Sequence, residues 1–180
     1  MTIHTDESAT LPVTGPHIAA AVATPATTVV PEPDGAVEGG VSALSYARVQ
    51  QFYARQAVLL QESRLSEVAA SFTEDGVLVC APLVPRVRGR AAIAAALAGA
   101  YGRSSEEGPV RCRYWLDALW VEESPGGVLH ARYNTLVTRV RPWHPVASVG
   151  PGAGIEDVLV VCGGRLRVRE RRITLDHLSF

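Results

Sequence analysis

The chain has 180 residues, 47% of them hydrophobic and 19% charged, with a formal net charge of -1. That length supports one domain with a substantial core plus a tail, and the near-zero charge leaves no electrostatic case for nucleic acid or an anionic membrane. No apolar run reaches the roughly 18 residues of a membrane helix, and the opening Met1-Thr-Ile-His-Thr-Asp-Glu7 lacks the basic region of a signal peptide.

Every basic chain other than His is Arg; with so much Ala, Val and Gly, the lack of Lys reads as codon usage of a GC-rich genome as much as physics. Cys80, Cys112 and Cys162 are isolated and odd in number. Each falls in an expected strand, so buried free thiols and a cytoplasmic location are expected.

Residues 1 to about 41, rich in Ala, Thr, Pro, Val and Gly without a period, read as a disordered N-terminal tail, and the domain as 42–180. Ser42 suits the N-cap of a helix running to about Ser63. Tyr46, Val49, Tyr53, Ala57 and Leu60 mark its apolar face, with Arg48, Arg55, Gln56 and Glu62 off it. A shorter helix, Leu65 to Ser71, leads into Phe72-Thr-Glu-Asp-Gly76, where Asp75-Gly76 is expected to turn and Val77 to open a strand. Pro82 and Pro85 restrict the following loop. Ala91 to Tyr101 reads as a small-residue helix lying close to a sheet, and residues 102–109 as a polar loop.

Three long strands follow: Val110 to Glu122, Gly127 to Arg139, and Ile155 to Val161 with its hairpin partner Arg165 to Leu175. Alternation puts Cys112, Tyr114, Leu116, Ala118 and Trp120 on the apolar face of the first, and Leu129, Ala131, Tyr133, Thr135 and Val137 on that of the second. Arg141 to Gly154 is a long irregular connection, a length usual in lids or disordered segments. Helices followed by an antiparallel run of strands make an α+β layout, with helices packed on one face of a curved sheet.

The last hairpin carries the sharpest chemical clue. With Gly163-Gly164 as a two-residue turn, Cys162 pairs with Arg165, Leu159 with Val168, Val158 with Arg169, Asp157 with Glu170 and Glu156 with Arg171. Asp157 and Glu170 then face each other on an apolar surface, while Arg165, Arg167, Arg169 and Arg171 stripe the other. Two carboxylates in contact at low dielectric cannot both ionise easily, and such a pair suits general acid–base work. The plainer reading is an exposed sheet edge or an ion pair with Arg172, and a bulge near Glu170 would shift the register and dissolve the pair.

The segments Leu59 to Val77, with Phe-Thr-Glu-Asp-Gly; Val87-Arg-Gly-Arg90; Arg113-Tyr-Trp-Leu116; Glu156-Asp157; and Gly164 to Ile173 together resemble the SnoaL-like branch of the NTF2-like superfamily over residues 43–176. The resemblance implies an NTF2-like cone, a strongly bent, mostly antiparallel sheet with helices on one face around a deep apolar pocket, usually as a homodimer. Relatives include polyketide cyclases, scytalone dehydratase, ketosteroid isomerase and non-catalytic carriers, and the Tyr-Trp-Leu segment and Arg-rich last strand look most like small proteins of actinobacterial aromatic-polyketide pathways, the actinorhodin type included. Gln61 stands where many relatives place an Asp, and Tyr114 where dehydratase-like members carry a His. Asp157 falls where such members often keep a polar residue.

The candidate catalytic residues are Asp157, Glu170 and Tyr114; Tyr53, Leu116, Trp120 and Tyr133 are candidates for binding substrate, with core packing the equal alternative for each tyrosine. Trp143 and His144 read as an exposed loop pair or a cover over a ligand. Gly150-Pro-Gly-Ala-Gly154 precedes a strand and lacks the helix N-terminus of a phosphate cradle. The arginine stripe reads as a solvated or dimer-facing surface. No residue set has metal-ligand spacing or a Ser-His-acid arrangement, so no cofactor or metal is expected. The expected function is cofactor-free proton-transfer chemistry (cyclisation, dehydration or isomerisation) on a polycyclic aromatic polyketide intermediate, a hydrophobic small molecule. A non-catalytic binding or accessory protein, or a purely structural dimer module, are the alternatives.

Overall fold

A computed structural model describes residues 40–80, 84–101, 110–144 and 146–178. They belong to one compact unit, Gly35–Phe180. The expected N-terminal tail, up to residue 39, and the 102–109 loop lie outside the described residues.

Helix α1 (Ala43–Gln61) begins where Ser42 accepts a hydrogen bond from the Ser45 amide at 3.1 Å, the bond that satisfies a first-turn donor. It ends as Ser63 takes a positive φ of 56° and the chain restarts as α2 (Leu65–Ala70). Strand β1 (Phe72–Cys80) follows, with its pairing interrupted over residues 73–76, where the Asp75-Gly76 turn is expected, and resumed at Val77. Strand β2 (Val84–Arg88) occupies part of what reads as a loop, and α3 (Arg90–Tyr101) follows. Strands β3 (Arg111–Ser124), β4 (Val128–Val140), β5 (Ser148–Val149), β6 (Ala153–Cys162) and β7 (Arg165–Leu175) complete the described sheet. Among the described residues no helix is long and apolar enough to cross a membrane.

The strand order is β2-β1-β7-β6-β4-β3, with β5 on β4. Pairing is antiparallel throughout except between β1 and β7. The helices cover one face of this curved sheet, where Val49, Phe72, Ile93, Leu159 and Val168 are almost completely buried. Gln56, expected off the apolar face of α1, is buried too.

Two bulges set which side chains point inward. In β3, Asp117 pairs with Asn134 and Trp120 with Arg132, so two residues on β3 stand against one on β4, and Ala118 takes a φ of 52°. An extra residue reverses the alternation beyond it. Val121 is therefore buried and Trp120 is 61% exposed, which overturns the expectation that Trp120 shares the face of Tyr114.

In β7, Val168 pairs with Leu159 and Glu170 with Val158, leaving Arg169 unpaired. The same point is irregular on the other side of β7, because Phe72 pairs with Val168 and Val77 with Glu170. Residues 73–76 have no partner on β7 there, and Gly76 closes so tightly that a Cβ on it would stand 3.0 Å from the Cβ of Phe72. Beyond the bulge the register moves by one residue: Asp157 pairs with Arg171, not Glu170, and Glu156 with Arg172, not Arg171. The expected carboxylate pair does not form. Arg171 leaves the outer arginine stripe and becomes buried, at 6% exposure.

Candidate functional site

The inner face of the sheet, α1 and α3 enclose a cavity of about 300 Å³, at the lower end of the range for small-molecule sites. Its walls are largely apolar, with Ala57, Leu60 and Val68 from the first two helices, Leu97 and Ala100 from α3, and Leu78, Val137, Ile155 and Ile173 from the sheet. Small residues on α3 keep that helix close and leave the volume open. Tyr53, Tyr101, Tyr114 and Tyr133 bring hydroxyls to this wall.

One polar cluster interrupts it. Arg171 donates from Nε to Asp157 Oδ1 at 2.8 Å and from Nη2 to Asp157 Oδ2 at 2.6 Å, a two-point ion pair that combines charge with fixed geometry. The Tyr53 hydroxyl donates to Asp157 Oδ2 at 2.9 Å. Arg171 Nη2 also donates to Gln56 Oε1 at 2.8 Å, and Gln56 Nε2 donates to Ser71 Oγ at 2.6 Å. Ser71 in turn donates to the Val68 carbonyl. Gln56, Arg171 and Tyr53 border the cavity, whereas Asp157 stands behind them.

Burial governs the titration of this wall. Desolvation pushes the Tyr53 hydroxyl well above the usual tyrosine range, and the neighbouring Asp157 charge pushes the same way. Tyr133 is raised by burial, against the lowering influence of Arg171. Tyr114 is raised first by burial and further by Tyr101. Burial works against the charge of Arg171, but Asp157 outweighs it and holds the guanidinium firmly protonated. The tyrosines therefore stay protonated at neutral pH, each hydroxyl able to donate one hydrogen bond and to accept another.

Of the candidate site residues, Tyr53, Tyr114, Leu116 and Tyr133 border the cavity. Leu116 is still 38% exposed, which puts it at the mouth. Glu170 lies on the opposite face with Glu156 and Arg172; its carboxylate is 3.9 Å from both Arg86 and Arg172. Trp120 also points outward. Gln61 is not on the cavity wall and accepts from Arg113 at 2.6 Å. Trp143 is wholly exposed and His144 exposed beside it. Cys80 is buried and Cys112 half-buried, both on the cavity wall, while Cys162 is exposed near the hairpin turn, against the expectation of a buried thiol.

Arg171 and Gln56 are the residues missed by reading the sequence. A signal was present for Arg171. Apolar positions in β7 run Leu166, Val168 and then Ile173, Leu175, and that change of phase requires an extra residue between them. Gln56 left no such trace, since a lone Gln near an apolar helix face is ordinary.

Solved structures share this architecture. ActVI-ORFA from Streptomyces coelicolor is 31% identical, with 74% of this chain and 98% of that one covered and a TM-score of 0.68. Aln2, from another Streptomyces species, is also 31% identical, covering 77% and 95% with a TM-score of 0.71. A protein from Catenulispora acidiphila, solved in complex with S-DNPA, is 34% identical, covering 76% and 96% with a TM-score of 0.66. No curated protein matches the chain. Residues 41–172 match the model of the SnoaL-like domain, and the chain belongs to the SnoaL-like family.

Proposed function

We propose that this protein acts in aromatic-polyketide tailoring, binding a polycyclic aromatic intermediate in the cavity and promoting cofactor-free proton transfer on it, as in cyclisation, dehydration or isomerisation. The observation that carries the reading is a largely apolar cavity of about 300 Å³ with a buried ion pair at its wall. Likeness to two Streptomyces proteins and to a relative holding a small molecule supports it.

Tyr114 and Tyr133 present protonated hydroxyls to the ligand, with Leu116 at the entrance, while Tyr53 donates its proton to Asp157 and offers the ligand its oxygen. Donors aimed at a developing oxyanion in a water-poor site stabilise it more than water does. Asp157 has both oxygens engaged, so it reaches the ligand only through Tyr53 and Arg171. Proton movement then runs through the Tyr53 hydroxyl to Asp157 in one concerted step. Glu170 has no part in it.

The second reading, a binding or accessory protein without turnover, is favoured by one observation. Among the described residues no carboxylate or imidazole borders the cavity. Incubating the protein with pathway intermediates separates the two. Turnover that falls about 100-fold in Tyr53→Phe supports the relay, and turnover that survives that change sinks it. Tight binding without turnover of any intermediate establishes the second reading.

The proposal includes a cytoplasmic homodimer. Exposed Trp115, Trp120 and Leu136 on β3 and β4 supply the apolar part of a dimer surface. Sedimentation velocity distinguishes dimer from monomer.

A further inference from the structure

Arg171 has five N–H donors, and three are accounted for: Nε by Asp157, and Nη2 by Asp157 and Gln56. Its Nη1 has no hydrogen-bond partner among the described residues. Nor does the hydroxyl of Tyr133, although Tyr133 is only 4% exposed and Arg171 only 6%. Yet no buried side-chain N or O atom among the described residues lacks a partner. Both residues border the cavity. The two groups also feel each other's charge. Two donors on the wall of one largely apolar cavity favour a ligand that accepts from them.

The charge state of the wall selects what that something is. Asp157 cancels Arg171, so the buried pair is neutral overall. A carboxylate brought to that pair is an extra buried charge, since Arg139, the other cation on the cavity wall, is exposed, and burying it there is expensive. A neutral acceptor oxygen costs far less. Burial keeps the Tyr133 hydroxyl protonated, so it has a proton to donate to that oxygen.

We propose that Arg171 Nη1 and the Tyr133 hydroxyl together form a seat for a carbonyl oxygen of a neutral aromatic ketone or quinone ligand. Asp157 and Gln56 are positioning residues for this seat, because they fix the other guanidinium nitrogens and leave Nη1 as the nitrogen not engaged by them. The inference rests on the reading of the cavity as a small-molecule site and names the group that the ligand presents to this part of the wall.

The test uses two probes of matched shape, 1-tetralone and its hydrocarbon isostere 1-methylenetetralin, with calorimetry for affinity and carbon-13-edited infrared spectroscopy for the carbonyl stretch. In the unaltered protein 1-tetralone binds at least about fivefold more tightly than the isostere, the net worth of a hydrogen bond, and its carbonyl band moves to lower frequency on binding. Tyr133→Phe removes one donor and lowers 1-tetralone affinity about fivefold while leaving the isostere unaffected. Arg171→Lys keeps the ion pair with Asp157 but loses the forked Nη1, and reduces the infrared shift. Equal affinity for both probes, or equal loss for both in Tyr133→Phe, overturns the carbonyl seat and leaves the small-molecule reading standing. A cavity that takes neither probe overturns both.

Discussion

Asp157 and Arg171 are cross-strand partners on β6 and β7, joined at 2.6 and 2.8 Å with side-chain exposures of 0% and 8%. The pair exists only because Arg169 is bulged out of the ladder, which turns Arg171 inward. It ties the last strand of the hairpin to α1 through Tyr53 and Gln56.

Removing one partner leaves the other charge buried alone. Asp157→Ala is expected to lower unfolding free energy by about 3–5 kcal/mol, measured from urea midpoints at constant slope. The double change Asp157→Leu with Arg171→Met removes both charges and is expected to recover most of that loss. A double variant as unstable as the single one contradicts the burial argument.

Stability is expected to fall at alkaline pH. Tyr53, Tyr101, Tyr114 and Tyr133 all have hydroxyls raised above the ordinary value of 10.0, with burial the first cause in each. Above that pH the unfolded chain gives up protons that the folded chain keeps, so the slope of stability with pH is negative. Their contribution is complete below pH 10 and is lost as pH rises above it. Absorbance at the tyrosinate band should show these four ionising together with loss of circular dichroism, not before it.

The thiols should separate by reactivity. Cys162 is exposed and reacts first, while burial holds Cys80 back by access and by raising its thiol. Because Cys80 and Cys112 border the cavity, a bound aromatic ligand is expected to slow their modification and leave Cys162 unchanged. Mass spectrometry after timed alkylation reads this directly, and equal protection of all three contradicts the location of the ligand.

The hairpin turn has φ values of 56° at Gly163 and 73° at Gly164, as a two-residue turn with both central residues left-handed requires. Gly163→Asn should be nearly neutral, since Asn tolerates that region. Gly164→Val should cost about 1–2 kcal/mol, visible as a lower urea midpoint.

Glu170→Gln serves as the negative control for the site. Its carboxylate is 35% exposed and 3.9 Å from its two arginine neighbours, a geometry worth at most about 1 kcal/mol. Ligand affinity and any turnover should be unchanged. A tenfold loss of either contradicts the outward placement of Glu170.

Local physics was legible in the sequence. The Ser42 cap, the Gly-Gly turn, the antiparallel ladder of long strands and the inward set Tyr133, Thr135 and Val137 follow from short-range rules that read one or two turns of chain at a time. The residues carrying the resemblance to the SnoaL-like branch pointed to the curved sheet over its cavity, and the Cys162–Arg165 and Leu159–Val168 pairings followed by counting from the turn.

Counting fails where a strand gains a residue. Each bulge reverses every side chain beyond it, so one extra residue exchanged Glu170 for Arg171 opposite Asp157, and another sent Trp120 out to solvent. The apolar phase change from Val168 to Ile173 hinted at the first, but its location depends on Phe72 and Gly76 in β1, nearly 100 residues earlier in the chain. Gln56 was unreadable for a related reason, because its partners Arg171 and Ser71 become neighbours only when helix and sheet meet. Residue order specifies most of the elements, β2 and β5 excepted, and the resemblance to the SnoaL-like branch implies the architecture that encloses the cavity. Which charges are buried is a matter of packing, because register across a bulge is set by the strands on both sides and not by the strand that carries it.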